Sequence, residues 1–211
     1  MPTTDIMDVL PISDVSFMLN WQQEMSQQSG GSPRTADVGE ELWLAKIGCN
    51  ALTKQEARIA EAMLDGLRGA IDTFYVWNAR APYPFADLTG AVLGASAVTI
   101  YALGGDNKSL RLAGLPVGYV LSIGDYLSFD TGNAPNVRRC LHRLTSGGTA
   151  DGAGRTGFMS VTPHIRAGAA NGLAVSLKKP AAEMFVLPGT LAAQSLKGSL
   201  GTLSFQALQV P

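Results

Sequence analysis

The sequence predicts a mainly β protein with one α-helix, an α+β chain, and three observations carry that reading. Apolar and polar residues alternate in short runs, glycine and proline cut those runs at intervals too short for helices, and one stretch alone switches to three- and four-residue spacing.

Residues 15–25 alternate, with Phe17, Leu19 and Trp21 on one side and Ser16, Met18, Asn20 and Gln22 on the other, as in a half-buried strand. Residues 22–37 carry paired glutamines and Ser-Gly-Gly-Ser-Pro-Arg, a polar stretch with no means of packing a core. They read as a mobile surface loop, or as one that becomes ordered against a neighbouring subunit. A second strand at 41–49 puts Trp43, Ala45, Ile47 and Cys49 on one face, so the two strands and their loop make a long hairpin.

Thr53-Lys54-Gln55-Glu56 is a capping box, in which Thr53 and Glu56 each satisfy a free amide at a helix start. Behind it Ile59, Ala60, Met63, Leu64, Leu67 and Ile71 recur at helical spacing, against Arg58, Glu61, Asp65 and Arg68 on the other face. The helix is expected over 53–70. Gly66 and Gly69 weaken its far end, each by about 1 kcal/mol relative to alanine. A strand at 73–78 follows, and then 79–90, where Pro82, Tyr83, Pro84 and Phe85 predict a surface arm or linker.

Strands are expected next at 98–103, 108–113, 118–123, 126–129, 137–144, 157–162, 173–177, 184–187 and 201–209. In the last of these Leu203, Phe205 and Ala207 share a face, and with 188–198 as a loop it pairs with 184–187 as an antiparallel hairpin. That hairpin belongs to the same sheet system as the first two strands. No repeat at a fixed period is present.

At 211 residues the chain suits one sizeable domain or two small ones, burying roughly 70% of its unfolded surface. Sixteen basic and seventeen acidic residues leave a net charge of −1 with no block of one sign, which argues against tight binding to nucleic acid or an anionic membrane. Only 16% of residues are charged while 46% are hydrophobic, so much of the surface is expected to be covered by other subunits. Asp5 and Asp8 stand where a signal peptide needs positive charge, and no apolar run approaches about 18 residues. Neither a leader nor a membrane span is expected, and the chain reads as made in a cytoplasm. Cys49 and Cys140 lack metal-ligand spacing and read as two buried thiols, with one long-range disulfide as the alternative.

Few residues offer chemistry. Cys140 and His142 are same-face neighbours on one strand, but they lack an orienting group or oxyanion loop. Both His142 and His164 read as strand-packing groups. Asp106, Asp125, Asp130 and Asp151 sit beside turn formers and read as turn acceptors. Thr149-Ala150-Asp151-Gly152-Ala153-Gly154 lacks the repeated acids and final glutamate of a calcium loop, and Gly152 and Gly154 do not open a phosphate-binding helix. Arg138, Arg139, Arg143, Arg155 and Arg166 gather positive charge, read as a solvated strand face against the alternatives of a subunit contact or a polyanion site. Trp21, Trp43 and Trp77 fall on inward strand faces and read as core. No catalytic residue, cofactor or metal site is expected.

Several motifs nevertheless point to a lineage: Leu115-Pro116-Val117-Gly118-Tyr119, Gly124-Asp125-Tyr126-Leu127-Ser128-Phe129, Leu141-His142-Arg143, Thr149-Ala150-Asp151, Pro163-His164-Ile165-Arg166 and Ser204-Phe205-Gln206-Ala207. In this series, covering about the last 110 residues, the chain resembles the distal tail proteins of long-tailed (siphovirus-type) bacteriophages, prophages and related tail particles. In the first half only the layout of strands, capped helix and strand is similar. The resemblance implies a tail-tube-like β-sandwich domain, 1–87 with 180–211, and a small inserted β-barrel, OB-like or sandwich domain, 88–179. It implies a non-catalytic virion protein of the baseplate or tail tip, a homohexameric ring with tail-tube protein above, hub, tip or fibre protein below, and DNA only passing through. Alternatives are a carbohydrate-binding tail component that touches the host surface through 88–179, another tube or tail-completion subunit, or a hydrolase built on Cys140 and His142.

Overall fold

The computed structural model describes residues 6–27, 30–133, 137–195 and 201–211. In chain order it contains a one-turn helix α1 (Ile6–Val9), strands β1 (Asp14–Asn20), β2 (Gln23–Gln27), β3 (Pro33–Asp37) and β4 (Leu42–Leu52), helix α2 (Lys54–Asp65) and strand β5 (Phe74–Trp77). Strands β6 (Thr99–Leu103), β7 (Ser109–Ala113), β8 (Val120–Leu121), β9 (Tyr126–Thr131), β10 (Arg138–Leu144), β11 (Gly148–Thr149), β12 (Met159–Thr162) and β13 (Val175–Ser176) follow. The chain ends with β14 (Ala181–Val186), β15 (Ala192–Ser195) and β16 (Gly201–Gln209). It is a β-rich α+β protein. Two compact units divide it: one runs to Tyr75 and resumes at Met184, and the other is Val76–Glu183.

In the first unit a sheet runs in the order β1-β4-β16-β14-β5, with β15 also paired to β16. Alternation decides which face is buried. Trp43, Ala45, Ile47 and Cys49 of β4 and Leu203, Phe205 and Ala207 of β16 are each at most 2% exposed, and Phe205 pairs opposite Ile47. Helix α2 packs on β4 and β16 with Ala60 and Leu64 buried, which hides the apolar side of a two-faced sheet.

The capping box is made: the Glu56 amide donates to the Thr53 hydroxyl, and the Thr53 amide donates to the Glu56 carboxylate at 2.8 Å. Gly66 ends the helix earlier than the expected residue 70. Leu67 stays buried, but Arg68 and Gly69 both take positive φ and turn the chain, so Ile71 leaves the helix stripe and is 70% exposed. Strands β14 and β15 lie in sequence along β16, with Val186 opposite Ala207 and Ala192 opposite Ser204. Between them the Thr190 hydroxyl accepts from the Gln206 amide and donates to the Leu187 carbonyl.

The first hairpin departs from expectation. β1 stops at Asn20 because Gln22 takes a φ of 40°, which breaks the alternation and leaves Trp21 49% exposed rather than in the core. Residues 23–37 then form a separate two-stranded hairpin, β2 with β3, in register from Gln23 opposite Asp37 to Gln27 opposite Pro33. Every residue of both strands is exposed. Gln28 and Ser29 lie outside the described residues, as do 196–198 of the loop expected at 188–198, in which 192–195 form β15 instead.

In the second unit one sheet runs β13-β9-β10-β12-β7-β6 and nearly closes. The closing bonds run from the Ile100 amide to the Leu173 carbonyl, from the Gly172 amide to the Ile100 carbonyl, and from the Val175 amide to the Val98 carbonyl, all under 3 Å. β8 and β11, far apart in sequence, pair antiparallel as a separate two-stranded sheet. Inside are Ile100, Leu110, Leu112, Leu121, Leu127, Phe129, Leu144 and Met159, each at most 2% exposed. Of the barrel and sandwich alternatives, this unit takes the barrel.

Candidate functional site

The histidine and cysteine side chains were the first candidates for chemistry. Cys140 and His142 are sealed in the barrel, at 4% and 1% exposure. His142 stacks on Phe129 at 5.1 Å, and its Nδ1 lies 2.9 Å from the Pro163 carbonyl oxygen. A carbonyl only accepts, so Nδ1 carries the proton and Nε2 is bare; Nε2 has no hydrogen-bond partner among the described residues. Burial drives the imidazole down to about 4, against a smaller upward pull from the Pro163 bond. Burial likewise raises the Cys140 thiol, whose Sγ lies 3.6 Å from the Thr131 hydroxyl. A protonated thiol beside a neutral, enclosed imidazole does not make an accessible nucleophile. His164 is exposed, in the turn after β12, and is not a packing group. Both cysteines are free and buried.

The aspartates do different jobs. Asp106 accepts from the Lys108 amide and the Ser109 hydroxyl, and Asp151 accepts from the Ala153 and Arg155 amides, as turn acceptors do. Gly154 in the same loop has a φ of 70°, and a Cβ there would fall on the Leu115 carbonyl oxygen, so its glycine serves close packing. Asp130 instead holds Arg139 by two bonds of 2.7 Å. That pair removes Arg139 from the expected positive group, and Arg155 stacks on Tyr101 instead, so the arginines do not act as one patch. Of the tryptophans, Trp43 is fully buried and Trp77 is half-buried with the Lys179 ammonium 4.9 Å from its ring centre. No group of three metal-ligating side chains occurs among the described residues, and no helix there is long and apolar enough to cross a membrane.

The remaining candidate is a groove in the second unit beneath residues 80–88, a segment expected to be an arm or linker of the first domain. It belongs to this unit because two buried carboxylates fasten it. Asp125 accepts from the Phe85 amide at 2.8 Å and the Ser122 amide at 2.7 Å. Burial raises its carboxyl, and the two amides pull the other way. Asp87 accepts from the Leu93 amide at 2.9 Å and from the Tyr119 hydroxyl at 3.3 Å. Burial pushes Asp87 up, yet the amides of Leu93 and Val92 with the Tyr119 hydroxyl bring it below the usual carboxylate range.

With the backbone pinned, the side chains of Phe85, Leu88 and Ile123 stand outward, each more than 70% exposed. Together with Arg80, Pro82 and Tyr83 they line an open groove of about 470 Å³. Its lining carboxylate, Asp125, already accepts from two amides, and the side chains exposed in the groove are mostly apolar. Fully covering each of the three side chains would contribute about 1.5–3 kcal/mol. Sequence reading missed it because proline-rich segments signal irregularity and not which side chains face outward; the paired Asp-Leu at 87–88 and Gly-Asp at 124–125 were the available hints.

No protein-family model matches the chain, and no curated protein matches it significantly.

Proposed function

We propose that this chain is a non-catalytic structural subunit of a long-tailed bacterial virus, of the distal tail protein kind. It is made in the bacterial cytoplasm and sits in the virion at the tail tip. There it associates with copies of itself into a six-fold ring between the tail tube and the tip, hub or fibre proteins, with DNA passing through. The β2–β3 hairpin is the observation that carries this reading. An isolated two-stranded hairpin is marginal in water, yet here ten strand residues are all exposed and pair only with one another among the described residues.

Met18, Trp21 and Met25, at 41%, 49% and 68% exposure, lead into and along that hairpin, an apolar series that a neighbouring subunit would cover. The groove at Phe85, Leu88 and Ile123 supports a second contact, and the resemblance in residues 115–207 supports the tail lineage. Sedimentation and electron microscopy of the purified chain, alone and with its tail-tube protein, test the proposal. Rings are expected. A monomer at every concentration, with no ring on adding tube protein, would overturn it.

A further inference from the structure

The seam of the barrel carries an inference that does not rest on the tail reading. The sequence has one Asn-Gly pair, Asn171-Gly172, and both residues are exposed. In such a pair the amide nitrogen of the second residue reaches the side-chain carbonyl carbon of the first, because glycine has no Cβ to obstruct it. The fold nevertheless requires glycine there. Gly172 takes a φ of 87°, and nothing lies within 4 Å of where a Cβ would stand, so torsion and not space demands it.

The same residue closes the barrel. The Gly172 amide donates to the Ile100 carbonyl at 2.7 Å, and the Ile100 amide donates to the Leu173 carbonyl at 2.9 Å. Further along, the Val175 amide donates to the Val98 carbonyl at 2.8 Å, and Val175 pairs on its other side with Phe129 of β9. Residues 172–175 thus bridge β9 to β6, with Leu173 packed against the core. To attack Asn171, the Gly172 nitrogen must give up its proton and swing toward the neighbouring side chain. While the Ile100 carbonyl holds that proton, both movements are opposed. The reactive nitrogen and a closing donor of the barrel are one atom.

We propose that Asn171-Gly172 is a self-modification site gated by closure of the barrel. When the seam opens, the Gly172 nitrogen bonds to Asn171 Cγ, the Cγ–Nδ2 bond breaks, and ammonia leaves with the proton that the nitrogen gave up. Water then opens the resulting succinimide. Hydrolysis at Cγ leaves aspartate, whereas hydrolysis at the main-chain carbonyl leaves isoaspartate, whose backbone runs through one extra carbon. Overall one water is consumed and one ammonia is released, with no change of oxidation state. The added carbon stands immediately before Gly172, so 172–175 lose their register against 98–100 and the seam is kept from closing again.

Incubation of the full chain at mildly alkaline pH, folded and in urea, tests this, with peptide mapping by mass spectrometry reading the conversion of amide to acid at Asn171. The folded chain is expected to convert at least about tenfold more slowly, since the reaction follows the population with an opened seam. Leu173→Ala removes packing beside the seam and leaves the pair itself intact. It is expected to speed conversion about threefold or more in the folded chain while matching the native rate in urea. The Ile100 amide should exchange faster in isoaspartate-containing chains than in unmodified ones. Equal rates folded and in urea, an unchanged folded rate in Leu173→Ala, or unaltered Ile100 exchange after isoaspartate formation would each overturn the proposal. Should Leu173→Ala fail to fold, the comparison of folded with urea-unfolded native chain and the Ile100 exchange decide.

Discussion

The two units solve the problem of sheet edges in opposite ways. In the second, residues 172–175 bond back to β6 through Leu173, Gly172 and Val175, so the barrel satisfies most of its own backbone. The first unit keeps an open sheet, whose end strand β1 has β4 as its paired neighbour and leads into a hairpin whose strand residues are all exposed. A closed sheet needs no partner; an open edge with apolar residues beside it invites one. The difference separates a sheet that bonds back on itself from one that leaves an edge strand open.

The strongest way to break the comparison is to unmake one core and watch the other. Phe205→Ala, removing a ring packed 6.3 Å from Phe74, is expected to cost the first unit about 3–5 kcal/mol in urea unfolding. Amide exchange should leave β9 and β10 protected in that variant. Simultaneous loss of both units would show that they do not stand apart.

Acid should strike the second unit through His142. Its imidazole falls to about 4 in the folded protein, below the ordinary value of 6.5, so the unfolded chain takes the proton first. That contribution is fully present above pH 6.5, is lost as pH falls from 6.5 to 4, and amounts to about 3 kcal/mol. Urea midpoints across this range should fall for the native protein and fall less for His142→Gln.

A smaller effect belongs to the helix that covers the open sheet. Thr53→Ala removes one half of the capping box and should cost about 1 kcal/mol, read as a lower urea midpoint with unchanged slope. The smallest expected change in stability is also the sharpest test of the comparison. Replacing residues 23–37 by a short glycine-serine turn between Gln22 and Val38, whose backbones already meet at 3.0 Å, should alter unfolding by less than about 0.5 kcal/mol. The same change should abolish ring formation by sedimentation. A large loss of stability would mean that the hairpin serves its own fold.

Much of this was legible from local pattern. Period-two alternation identified the buried face of β4 and β16, because side chains on a strand must go to opposite sides. The capping box located the start of α2 to the residue. What pattern missed were features set by single backbone torsions or by distant partners. Gln22 at φ 40° detached the β2–β3 hairpin, and Arg68 with Gly69 shortened the helix face. Residues 79–90 joined the second unit through distant partners, Asp125 some forty positions from Phe85 and Tyr119 bonded to Asp87. The groove was illegible for the same reason: its lining comes from 80–88 and 122–125, stretches far apart in the chain.

The order of apolar and polar residues alone therefore determined that this chain is β-rich, where its helix begins and which strand faces are hidden, since those follow from repeat and from neighbours within four residues. Only tertiary structure decided that one sheet nearly closes and the other stays open, and which aromatic and charged side chains meet. Closure and juxtaposition depend on contacts between residues far apart in the chain, and no local spacing encodes them.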